Sequence, residues 1–156
     1  MNTANPKKSV AKRKMGRPAL PMQRQLPLAH AGRYFDLRAI FHRLNECYFD
    51  YRLRGYEIVW GRRRRLRPKH YLVFGSIQEE DRIIRIHPLL DAPFVPEWFL
   101  DYVVYHEMLH AVVPDERTPS GRRKVHTQAF AERERRFPHY RKAREWEAEN
   151  LSRFLR

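Results

Sequence analysis

One apolar stretch, residues 98–113, limits the possible folds more than any other part of this chain. It carries His106-Glu107-Met108-Leu109-His110 among Trp98, Phe99, Leu100, Val103, Val104, Ala111 and Val112. A helix that is apolar on nearly every side belongs in a core. Pro96 suits its first turn, and Pro114 stops it near Val113. Asp101 and the His and Glu residues interrupt the run, which is also shorter than the ~20 residues needed to cross a bilayer. Any fold must therefore bury this helix and still give partners to two imidazoles and a carboxylate. Leaving such groups buried and unpaired costs on the order of several kcal/mol.

The spacing supplies an answer. Residues four apart on a helix differ by about 40° around the axis and lie one turn apart, so His106 and His110 can reach one point. Glu107 sits one step round, within reach of a water held at that point. This is the H-E-x-x-H arrangement, in which two His bind a metal and the Glu acts as general base. Catalytic zinc keeps three protein ligands and one open position. The third is expected to be His126, beyond a polar loop that can turn the chain back; Glu145, Glu147 and Glu149 are the rivals. On an amphipathic helix those Glu read more simply as surface charge. The expectation is Zn2+ on His106, His110 and His126, with Glu107 catalytic in metal-assisted hydrolysis of a peptide or protein substrate.

Around this helix the chain reads as one α+β domain. Leu37, Ile40, Phe41, Leu44 and Tyr48 fall at helical spacing from about Tyr34, with Asp36 as N-cap. Three β-like runs follow at residues 56–60, 71–77 and 82–87, and the polar turn 78–81 makes the last two a hairpin. The third run is a candidate edge for an extended substrate. Helices are expected from about Thr127 to Arg136, and after Pro138 to Leu151 or beyond. Cys47, the only cysteine, rules out an intrachain disulfide and is expected as a buried small hydrophobe. His87 is expected to pack; His139 and Tyr140, at a helix start, are weighed as oxyanion donors but read as structural contacts.

Charge is unevenly spread. The 156 residues carry a formal +14. Residues 1–25 hold Lys7, Lys8, Lys12, Arg13, Lys14, Arg17 and Arg24 with no acid. Residues 61–70 hold Arg62, Arg63, Arg64, Arg65, Arg67 and Lys69, again with no acid, so these two segments account for +13. Residues 1–32, without apolar periodicity, are expected to be a disordered basic tail ahead of a domain spanning 33–156. Gly16-Arg17-Pro18 within the tail resembles the core of an AT-hook, although Met15 replaces the usual Arg. Either the two segments are solvated charge, or residues 1–25 and 62–69 contact nucleic acid by releasing counterions. No secretory signal or membrane span is expected, which makes a cytoplasmic protein the plain reading.

Several stretches together resemble the SprT-like family. They are Leu44-Asn45-Glu46-Cys47-Tyr48-Phe49, Ile58-Val59-Trp60, Ile84-Arg85-Ile86-His87-Pro88-Leu89, the segment Asp101 to His110, and His126-Thr127-Gln128-Ala129-Phe130. Bacterial metallopeptidases of the YgjP type share much of the pattern. The resemblance covers about Tyr34 to Arg136. It implies a small zincin-like domain, zinc on His106, His110 and His126, Glu107 as the catalytic residue, and relatives such as the Spartan proteases that act on DNA–protein crosslinks. The cysteine zinc ribbon of many SprT proteins has no counterpart here. The alternative function is a DNA-associated zinc-binding regulatory protein with little turnover; Glu107 discriminates, because a merely structural zinc needs no base beside it.

Overall fold

The computed structural model describes residues 30–63 and 68–155. The basic tail 1–25, its AT-hook-like core and most of the arginine run lie outside the described residues. Among the described residues, hydrogen bonding is already present at His30, ahead of Tyr34: Ala31 bridges to Asp36, and the His30 carbonyl accepts from Leu37 N at 3.1 Å.

Helix α1 (Leu37–Phe49) starts where Asp36 Oδ1 accepts from Arg38 N and Ala39 N. This cap satisfies amides that the first turn leaves free. Leu37, Ile40, Phe41 and Leu44 form the buried stripe. The helix ends as Asp50 and Tyr51 take positive φ, and Asn45 secures the exit by accepting from Leu53 N through Oδ1. Cys47 corrects the sequence expectation, since it is exposed. It sits about 60° from Leu44 around the axis, at the margin of the stripe in the last turn.

Strands β1 (Glu57–Trp60), β2 (Gly75–Gln78) and β3 (Ile83–Ile86) form a sheet in the order β1-β3-β2. The expected hairpin is present, with β2 antiparallel to β3, and β1 runs parallel to β3 on its other side. This corrects the idea that the third run presents an edge: β3 is the central strand, bonded on both sides, and among the described residues β1 and β2 are the outer strands. Period-2 alternation still holds, placing Ile84 and Ile86 fully in the core. Residues 71–74 precede rather than belong to β2; Tyr71 and Val73 are exposed, while Leu72 and Phe74 pack on the core.

A 3-10 turn (Pro88–Leu90), capped by His87 Nδ1 accepting from Leu89 N, leads to α2 (Glu97–His110). Pro96 is its N-cap, as its fixed φ favours, and the helix closes at His110 rather than Val113. From Phe99 to Leu109 only His106 is not buried. Helix α2 packs against β2, β3 and α1 on one side and against α3 (Gln128–Glu134) and α4 (Tyr140–Phe154) on the other. Between α2 and α3 lies a small hairpin, β4 (Glu116–Arg117) with β5 (Arg123–Lys124). The architecture is mixed α+β, and no described helix is long and apolar enough to cross a membrane.

Candidate metal centre

Helix α2 aims His106 and His110 to one side, and His126 meets them from the residue before the α3 cap. Thr127, buried, caps α3 by accepting from Phe130 N through Oγ1 at 3.1 Å. That cap fixes the direction in which the His126 ring leaves the chain. Phe130, also buried, lies against all three imidazoles, with ring centroids 5.0, 4.5 and 4.9 Å from His106, His110 and His126. It is an apolar floor that prevents the rings from collapsing inward.

The three rings present the same nitrogen to a common point. His106 Nε2 is 3.3 Å from His110 Nε2 and 3.2 Å from His126 Nε2. Two nitrogens sharing a tetrahedral ion at about 2.0–2.1 Å lie about 3.3 Å apart. The spacing fits a metal, and these three side chains can hold one. Burial lowers the pKa of His110 to about 4, helped by the charges of His106 and His126, and burial also lowers that of His126. Neutral imidazoles with free lone pairs are what a metal requires.

Glu134 is the residue sequence reasoning missed. Its Oε1 lies 2.6 Å from His106 Nδ1 and accepts from the Tyr102 hydroxyl at 2.8 Å. With a carboxylate at Nδ1, the proton of His106 belongs there and Nε2 is left as the ligand atom. Burial raises the Glu134 carboxyl, but the hydrogen bonds from His106 and Tyr102 outweigh it and hold the pKa below its ordinary value. The sequence offered only a partial signal: Phe130 and Glu134 stand at i and i+4 on one face of α3, the helix that follows His126.

Of the rival ligands, Glu147 does reach the cleft, where it pairs with Arg144 at 2.9 Å, while Glu145 and Glu149 are exposed. His139 packs near Trp98 and Phe137, and neither His139 nor Tyr140 lines the cleft.

No family model, curated protein or solved structure matches this chain. The chemistry of the site therefore rests on its own geometry.

The imidazoles open into a cleft of about 390 Å³ between α2, β2 and the loop carrying Val125. Glu107 lies in its wall, only 6% exposed, and burial pushes its pKa up to about 7 against the opposing charge of His106. A carboxyl so placed takes and returns protons near neutral pH. Opposite stands β2. His87 N donates to the Phe74 carbonyl at 2.7 Å, and Gly75 pairs with Ile86. Bonded and non-bonded pairs alternate along an antiparallel ladder, so the peptide groups of Gly75 and Ile77 face away from β3, toward the cleft. At the rim, Arg123 binds Asp115 and reaches Glu79 at 3.4 Å, tying the small hairpin to the β2–β3 turn.

Proposed function

We propose that this protein is a zinc-dependent metallopeptidase of the SprT-like, zincin type. The observation that carries the reading is the convergence of three Nε2 atoms in a cleft that also holds Glu107. His106, His110 and His126 would hold the ion, and the donor set of three neutral imidazoles suits zinc. Zinc so held supplies Lewis acidity, polarising a carbonyl and acidifying water. Glu107 accepts a water proton on a carboxylate oxygen and passes it to the leaving amine, a role worth about 10²–10⁴ in rate. Glu134 holds the His106 proton at Nδ1, and Phe130 screens the rings from the core side.

A peptide substrate suits the cleft because β2 offers as an edge the backbone groups of Gly75 and Ile77, which have no strand partner among the described residues. An extended chain can add to such an edge through main-chain hydrogen bonds. The His87–Phe74 bond and the β2–β3 register support that placement.

A nucleic-acid partner is part of the proposal. The described residues flanking the two basic segments converge on one buried carboxylate: Asp91 accepts from the amides of Arg33, Tyr34 and Phe35, and Arg63 lies 3.8 Å from it. Residues 33–35, downstream of the first segment, and Arg63 of the second therefore meet at Asp91, which favours the two segments acting together on phosphates. The test is metal analysis of the purified protein, with hydrolysis of a denatured protein measured with and without single-stranded DNA. About one zinc per chain is expected, with turnover that Glu107→Gln abolishes while retaining zinc. Zinc without turnover would leave a DNA-associated binding protein as the reading.

A further inference from the structure

We infer that Gly75 is a positioning residue for Glu107, a glycine kept for the space it leaves rather than for backbone freedom. Its φ does not lie in the left-handed region, so any L residue could adopt the backbone. Space is another matter. A Cβ built at Gly75 would stand 2.7 Å from Glu107 Cγ, 2.7 Å from its Oε1 and 2.9 Å from its Cδ.

Neither side of this contact can retreat cheaply. Strand β2 is held on either side of Gly75 by its ladder to β3, through the His87–Phe74 bond before it and the Ser76–Arg85 pair after it, with the fully buried Ile86 opposite Gly75. Glu107 belongs to the last turn of α2, flanked by Val104 one turn back and Met108 beside it, both fully buried. The carboxylate tip could rotate away, but Cγ is equally close and moves only if the whole side chain changes rotamer. A methyl at position 75 therefore displaces Glu107 or lifts the edge strand. The three atoms nearest such a Cβ all belong to Glu107, so the imidazoles are expected to keep their partners, Glu134 and Phe130. Misplacing a reacting group by about 1 Å can cost about 10²-fold in rate.

The catalytic consequence rests on the peptidase reading above; the steric contact does not, and the experiment separates them. In the full-length protein, Gly75→Ala should keep its zinc and lose about 10²-fold in kcat, with KM changed far less. Thermal unfolding of Gly75→Ala is then measured in the wild-type and Glu107→Ala backgrounds. Removing the Glu107 side chain clears the space, so the loss of Tm from Gly75→Ala should largely disappear there. Gly32→Ala is the control, because its Cβ would strike Asp91 at 2.5 Å instead, and its cost should not depend on Glu107. If Gly75→Ala alone fails to fold, Gly75→Ala/Glu107→Ala must recover the fold. Equal Tm losses in both backgrounds, a double variant that stays unfolded, or wild-type kcat in Gly75→Ala overturns the assignment. Absence of turnover in the wild type overturns the peptidase reading, and the coupling still decides the role of Gly75.

Discussion

Glu107 should destabilise the metal-free protein in a pH-dependent way, and replacing it with Gln should relieve the cost. The folded-state pKa is about 7 and the reference value 4.5. Between these pH values the folded state holds more protons than the unfolded one, so stability falls as pH rises through this window. At 1.36 kcal/mol per pH unit, the full cost is about 3 kcal/mol at pH 8 and about 1 kcal/mol at pH 5. The near-complete burial of the carboxyl permits that conversion. Glu107→Gln, nearly isosteric, carries no charge to desolvate at either pH. Its stability relative to wild type should therefore rise by about 2 kcal/mol from pH 5 to pH 8. Urea unfolding in the presence of a chelator at both pH values measures it, with equal m values confirming that the same surface is exposed. The two proteins differ at this one side chain, so the comparison cancels most contributions from the rest of the molecule. A Gln–Glu difference that is the same at pH 5 and pH 8 would refute the desolvated carboxyl.

Three further outcomes are expected. His106→Ala and His110→Ala should abolish zinc binding and His126→Ala weaken it sharply, as read by metal content after dialysis; full retention in His126→Ala with loss in Glu147→Ala would move the third ligand. Glu134→Ala should lower zinc affinity about 10–100-fold by freeing the His106 tautomer, measured by competition with a chelator of known affinity, and unchanged affinity would reduce Glu134 to a packing role. DNA binding should weaken steeply with salt, at about 0.7–0.9 per phosphate contact in a log–log plot; deleting residues 1–25 should lower affinity and flatten the slope without changing zinc content, and an unchanged slope would acquit the tail.

Much of this was legible because the relevant signals are local. His106 and His110 are one turn apart on a helix whose apolar surround dictates burial, so their common direction follows from helical geometry alone. Asp36, Pro96 and Thr127 mark helix starts through the amides they cap or lack. The alternation of Ile84 and Ile86 assigned one strand face to the core. The Cys47 expectation failed because a residue at the margin of an apolar stripe is buried or exposed according to what packs beside it, and no pattern within the helix encodes that.

The sequence by itself determined the α+β order of elements, the paired histidines on a buried helix, and a glutamate beside them. Tertiary structure alone decided three things. It made β2 the edge, because β1 comes from far along the chain to pair in parallel with β3. It brought Glu134 to His106, a contact between α3 and α2 across 28 residues of chain. It laid Gly75 on Glu107, where a strand and a helix with unrelated periodicities meet. Each depends on how separate elements pack, and packing is set by the shape of the whole core rather than by any segment's own pattern.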